Sequence, residues 1–223
     1  MSYQYLRLAG LIIALLCPFS VSAEIYQENF QDGVADGWEP QQPEQWVING
    51  RPKRNLNYRA SDGDNDSVMI STYAGAEYED VDFRVSLRAD DNYAAYVVVR
   101  GSADFYRKSG INEGSGYAFG ISAACGTGLP LAYNVYKLTD GVYQNIQPWV
   151  ATDKLKCALR GNRIRIVAVG RLLKFFVNNK LVFKYRDAKP LAAGRVGLVG
   201  YTAPPLPTRH YFDNVFIRDL AKD

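Results

Sequence analysis

Apolar and polar residues alternate with a period of two along most of this chain, the spacing of half-buried β-strands. In Asp82-Phe83-Arg84-Val85-Ser86-Leu87-Arg88 the three apolar side chains point one way and the polar ones the other. Tyr96 to Arg100 is more continuously apolar, as a strand covered on both faces is. Further strands are predicted at Gly116 to Ile121, Leu131 to Leu138, Val142 to Ile146, Leu155 to Arg160, Arg163 to Val169, Leu172 to Val177, Lys180 to Tyr185, Gly194 to Tyr201 and Tyr211 to Arg218. Turn chemistry separates them at Thr139-Asp140-Gly141, Gly161-Asn162, Gly170-Arg171 and Asn178-Asn179, because Asn and Gly accept the positive φ of tight hairpins. Helical periodicity is nearly absent. Short strands and turns at this spacing predict an all-β, antiparallel two-sheet sandwich. Asp104 to Ser115 reads as a polar loop long enough to overhang one face, and Ala203 to Pro207 as a rigid loop between the last two strands.

The first 23 residues break the pattern. Arg7 is their only charge, Leu8 to Leu16 is an apolar stretch, and Val21-Ser22-Ala23 supplies small residues before Glu24, the layout of a secretory signal peptide over 1–23. A lipoprotein reading would use Cys17, but the large Leu16 before it argues against that. The remainder, 24–223, is sized for a single domain. The expectation is an exported protein, periplasmic or extracellular.

The chain carries 26 basic and 23 acidic residues for a net charge of +3. Removing Arg7 with the leader leaves 25 against 23, or +2. The basic residues are interleaved with acidic ones, apart from short groups such as Arg51-Pro52-Lys53-Arg54. That balance argues against a nucleic-acid-binding protein, which would cluster them. Beyond Cys17 two cysteines remain, Cys125 and Cys157. An even count in an oxidising compartment favours a disulfide between them. The alternative is a pair of buried thiols, since Cys157 would share a strand face with Leu155 and Leu159.

Several short motifs follow one another in a particular order. They are Glu28-Asn29-Phe30, Gly37-Trp38, Trp46-Val47-Ile48-Asn49-Gly50, Glu79-Asp80-Val81-Asp82-Phe83, Val97-Val98-Val99-Arg100 and Tyr117-Ala118-Phe119. Phe176-Val177-Asn178-Asn179-Lys180-Leu181-Val182, Asp187, Gly194-Arg195-Val196-Gly197-Leu198 and the closing Tyr211-Phe212-Asp213-Asn214-Val215-Phe216-Ile217 complete the series. Together they resemble the concanavalin A-like jelly roll, in the branch of laminin-G-like and 3-keto-disaccharide hydrolase-like domains. The resemblance implies a jelly-roll sandwich and either glycan binding or a glycosidase-type activity. It also implies a structural calcium ion where the first and last strands meet, at positions matching Glu28 or Asp32, Asp213 and the Gly50 carbonyl. Hard oxygen donors of this kind suit calcium.

Catalytic motifs are harder to find. A retaining glycosidase needs two carboxyl groups about 5 Å apart, and Glu77-Tyr78-Glu79-Asp80-Val81-Asp82 lacks a final Glu in register. His210 beside the last strand reads as a surface or strand-edge residue rather than a proton-transfer group. The nucleophile elbow Gly-x-Ser-x-Gly and the zinc motif His-Glu-x-x-His are absent. The acidic run Ser61 to Ser67 lacks the Gly and Glu of a calcium loop and reads as a solvated turn.

Sugar binding asks for less: aromatic rings to stack on pyranose faces and polar groups for the hydroxyls. Tyr96, Arg100, Tyr117, Tyr136 and Trp149 are the candidates, with Arg100 and Tyr117 foremost because they sit at matching strand ends. Trp38 and Trp46 read as core anchors. The sequence thus points to an exported domain that binds a glycan or polysaccharide on one sheet face. A glycoside hydrolase-type enzyme on the same scaffold and a protein-contact sandwich are the alternatives.

Overall fold

Strands with one apolar face are stable only when that face is buried against another layer. In the computed structural model, which describes residues 24–51, 54–61, 68–89, 94–108, 111–123, 130–157, 160–202 and 208–221, two antiparallel sheets provide it. One sheet runs in the order β15 (Lys180–Arg186), β14 (Leu172–Val177), β13 (Asn162–Val169), β6 (Val81–Ala89), β17 (Arg209–Asp219), β4 (Arg54–Ser61) and β3 (Trp46–Arg51). Its eighth strand, β1 (Ile25–Glu28), pairs with the end of β17. The second sheet runs β12 (Val142–Ala151), β11 (Ala132–Thr139), β10 (Gly116–Ser122), β7 (Ala95–Gly101), β16 (Arg195–Tyr201), β5 (Val68–Tyr73) and β2 (Trp38–Pro40). A small hairpin of β8 (Tyr106–Lys108) and β9 (Ile111–Glu113) stands apart from both. No helix among the described residues is long and apolar enough to cross a membrane.

The inward-facing alternates of both sheets form the core. Phe83, Val85 and Leu87 of β6 meet Val97 and Val99 of β7, and Phe119 of β10 meets Phe175 of β14 with ring centroids 5.2 Å apart. Truncating either phenylalanine would cost about 3–5 kcal/mol. Trp38 and Trp46 are buried anchors as expected, Trp46 lying 4.5 Å from Tyr58 and 5.7 Å from Phe212. The hairpin turns also follow the sequence: Asp140-Gly141 (φ 48 and 75) and Asn178-Asn179 (φ 48 and 66) have the paired positive φ of a type I′ turn.

Two expectations are corrected. Residues 155–157 of the segment expected as the Leu155 to Arg160 strand are not in a ladder, and the preceding strand β12 runs on to Ala151 instead. Asparagine side chains stand in for the missing ladder. The Lys156 N–H donates to Asn162 Oδ1 at 2.8 Å, Asn162 Nδ2 donates to the Lys156 carbonyl at 2.9 Å, and Asn178 Nδ2 donates to the Lys154 carbonyl at 2.7 Å. His210 is fully buried, not at a surface or edge. It shares the inward face of β17 with Phe212, and its ring occupies space that a Cβ on Gly200 would enter at 2.7 Å. The leader 1–23, the acidic run 62–67, Cys125 and the proline loop 203–207 lie outside the described residues.

The outer face of the seven-stranded sheet carries an apolar cluster of its own, including Val98, Phe105, Ala118, Tyr136, Leu138 and Val199. Phe105, just before β8, packs its ring 6.5 Å from that of Tyr136 at an interplanar angle of 13°. The segment expected as an overhanging loop thus contains the β8–β9 hairpin instead, and Phe105 and Tyr106 pack against this outer-face cluster.

Candidate functional site

Three of the expected aromatics meet on that outer face. Strand β10 turns Gly116, Ala118 and Gly120 outward, a row of small residues that leaves room for side chains from its neighbours. Gly120 lies between Tyr96 of β7 and Asn134 of β11 in the ladder. A Cβ there would stand 2.2 Å from Tyr96 Cε1 and 2.3 Å from Asn134 Oδ1, so the Tyr96 ring lies directly over this glycine. Tyr96 meets Tyr136 edge-on at 5.6 Å and Trp149 at 6.3 Å.

Trp149 owes its position to an irregular edge strand. Tyr133 pairs with Val150 and Val135 with Gln147, so β12 spends one residue more than β11 across this interval. A bulge of this kind re-aims side chains. Pro148 is tolerated within it because β12 is the sheet edge, where a missing N–H leaves no ladder bond unmade. The indole is 45% exposed, whereas Asn134 beneath the group is only 5% exposed and its Oδ1 accepts no hydrogen bond among the described residues. An exposed indole, a tyrosine ring and a buried unsatisfied amide oxygen can stack on an apolar sugar face and accept a hydroxyl proton.

Arg100 and Tyr117 are placed elsewhere. Arg100 ends β7 with φ 51 at a register shift against β16, and the bulge turns its side chain inward. It is 3% exposed, and its guanidinium donates to the carbonyls of Glu79 (2.7 Å), Gly170 (2.7 Å) and Leu191 (3.1 Å). Tyr117 is fully buried. Its hydroxyl donates to Asp187 Oδ2 at 2.7 Å and accepts from the Leu191 N–H at 3.0 Å. Lys137 Nζ completes this network, donating to Asp187 Oδ2 and to the Lys189 carbonyl, both at 2.7 Å. Burial alone would push the Asp187 carboxyl up. The hydrogen bonds from Lys137, Tyr117 and the Lys189 N–H outweigh it and hold the group below the usual carboxylate range. Burial and the Asp187 contact raise the Tyr117 phenol.

The acidic run before β6 is spent on structure. Asp80 Oδ1 accepts the Gly170 N–H at 2.7 Å and lies 3.6 Å from Arg100. Asp82 faces outward as expected but is covered by Arg84 and by Arg165, whose Nε and Nη2 donate at 2.7 and 2.9 Å. Burial opposes ionisation of Asp82, yet the two guanidiniums hold its carboxyl below the usual range.

The positions expected to hold calcium do not gather in one shell. Gly50 and Asp213 line a groove on the outer face of the eight-stranded sheet, while Glu28 and Asp32 line a separate hollow beside Asp36. Glu28 Oε1 accepts the Phe30 N–H, and burial pushes the Asp213 carboxyl up. Among the described residues no group of three or more His, Cys, Asp or Glu side chains is placed to hold a metal ion.

Reading the sequence missed Gly120, Asn134, Phe105 and Lys137. The outward row of small residues in β10 was the available signal for the first two. Nothing local marks Lys137, whose alternation places it among inward apolar residues.

No protein-family model matches the chain, and no curated protein matches it. Solved structures do. The chain is similar to the carbohydrate-binding module CBM66 from Bacillus subtilis at 17% identity and TM-score 0.55, over 80% of this chain and 93% of that one. It is similar to the Bacillus licheniformis β-glucanase at 11% identity and TM-score 0.61, over 87% and 96%. The Crh5 transglycosylase aligns at 14% identity and TM-score 0.57, over 92% and 88%. At these identities the likeness is one of fold: the chain has the two-sheet jelly-roll sandwich of these proteins.

Proposed function

We propose that this chain is an exported carbohydrate-binding domain whose sugar site is the outer face of the seven-stranded sheet around Trp149, Tyr96 and Asn134. The observation that carries the reading is the half-exposed Trp149 indole beside Tyr96, above an amide oxygen that is buried without a donor. Likeness to a carbohydrate-binding module supports it. The β-glucanase and the transglycosylase keep a glycoside-processing enzyme as the second reading. Binding is favoured over hydrolysis by the outward residues of β10 and β11. They are Gly116, Ala118, Gly120, Ser122, Ala132, Asn134, Tyr136 and Leu138, with no carboxylate to serve as nucleophile or acid.

Calorimetric titration against neutral glucans, fructans, xylans and mannans tests the site. One class should bind saturably, and Trp149→Ala should weaken it by about tenfold or more, because stacked aromatics commonly carry about 2 kcal/mol at an interface. Unchanged affinity in that variant, or no binding across the panel, refutes the site. The export reading extends to a Cys125–Cys157 disulfide, which an even cysteine count in an oxidising compartment supports.

A further inference from the structure

The opposite face of the sandwich has a different character. A groove of about 1010 Å³ crosses the outer face of the eight-stranded sheet, at the upper end of the range for ligand clefts (~300–1,000 Å³). Among the described residues Arg51, Arg88, Lys156, Arg160 and Arg163 line it against one carboxylate, Asp213. From β3, which carries Arg51, to β13, which carries Arg163, there are four strand spacings, or about 19 Å.

Several cations elsewhere in the molecule are paired. Arg84 and Arg165 are paired with Asp82, Lys137 with Asp187, Lys154 with Asp153 and Arg195 with Glu39. Among the described residues Arg51, Lys156, Arg160 and Arg163 form no ion pair, and all four side chains are exposed. Like charges gathered along one groove without partners repel, which is a cost that an anion would remove.

We propose that this groove is a second binding site, for an anionic polysaccharide whose sugars carry carboxylate or sulfate groups. The site is independent of the aromatic face proposed above. The groove offers acceptors between its cations: the Asp213 carboxylate and Asn57 Oδ1, which is buried and accepts no hydrogen bond among the described residues. A bare polyanion has nothing to donate to them, but a charged sugar brings hydroxyl protons alongside its acid groups. Single-stranded nucleic acid fits less well. It binds through aromatic platforms, and among the described residues the one aromatic lining the groove, Tyr211, has the Arg88 guanidinium over its ring at 4.1 Å.

The test is affinity electrophoresis of the mature protein in gels containing polygalacturonate or dextran sulfate, with neutral dextran and an oligothymidylate as controls. Polygalacturonate probes the carboxylate source and dextran sulfate the sulfate source. Retardation by at least one of them is expected, falling between about 50 and 200 mM salt. The double variant Arg160→Ser/Arg163→Ser should weaken it about tenfold or more, the order of one lost charge-assisted hydrogen bond. Trp149→Ala should leave it unchanged. No retardation by either polyanion overturns the proposal. So does retention unaffected by the arginine variant, retention abolished by Trp149→Ala, or tighter binding of the oligothymidylate. Failure of the neutral-glycan titration with polyanion binding intact would remove the aromatic site and leave this one standing.

Discussion

Replacing Lys137 by Met would isolate a charge inside the sandwich. In the folded protein Lys137 and Asp187 side chains are 7% and 6% exposed and meet at 2.7 Å. Methionine keeps most of the chain length and removes the ammonium. Asp187 would retain the Tyr117 hydroxyl and the Lys189 N–H, so its charge would be solvated in part but no longer neutralised. Removing one partner of a buried pair costs about 3–5 kcal/mol. For a domain of this size each kcal/mol moves the midpoint by about 2–4 °C, so Tm should fall by about 6–20 °C. The pH dependence sharpens the test. The folded pKa of Asp187 lies below its unfolded value, so its stabilising contribution is present above the unfolded pKa near 3.9 and is lost as pH falls through the folded pKa. In the variant, burial is left to dominate and protonation relieves the orphaned charge. The gap between wild type and Lys137→Met should therefore be full at pH 7 and close on acidification towards pH 3. Thermal melts followed by circular dichroism from pH 3 to 8 would measure it. A drop under about 2 °C at pH 7, or a gap that widens in acid, would refute the argument. Adding Asp187→Asn to Lys137→Met should recover part of the loss, because the uncompensated charge is gone.

Three further outcomes follow from the same structure. Arg100→Ala should lower stability by about 3 kcal/mol or more, since the Glu79, Gly170 and Leu191 carbonyls lose a charged donor together; denaturant unfolding with a small change would make the guanidinium dispensable. Gly120→Ala should displace the Tyr96 ring and reduce glycan affinity more than it reduces Tm, and titration showing wild-type affinity would separate Tyr96 from the site. Peptide mapping by non-reducing mass spectrometry should find Cys125 linked to Cys157, worth roughly 3–4 kcal/mol in the chain-entropy model, and free thiols on both would remove that bond.

Much of the architecture was legible because it is encoded locally. Period-two alternation in Asp82 to Arg88 and the Asn178-Asn179 turn each rest on a few adjacent residues, and the tryptophans at 38 and 46 had to find an interior. The sequence by itself therefore determined most of the strands from β6 onward, most turns and the two-sheet class. Of the aromatics it singled out, Tyr96, Tyr136 and Trp149 lie together on the outer face, while Tyr117 is buried in the interior. Tertiary structure decided what each polar group faces. A single bulge with positive φ at Arg100 swings a guanidinium from the face that alternation assigns it into the interior. Lys137 and Asp187 are 50 positions apart and meet only because a strand of one sheet passes under a loop from the other. Asn162 and Asn178 divert the segment after Ala151 from a ladder to side-chain bonds. The physical reason is common to all of these. Periodicity and turn propensity are short-range properties of the backbone, whereas the partner of a buried charge and the occupant of a groove depend on which distant segments the packed sheets bring together.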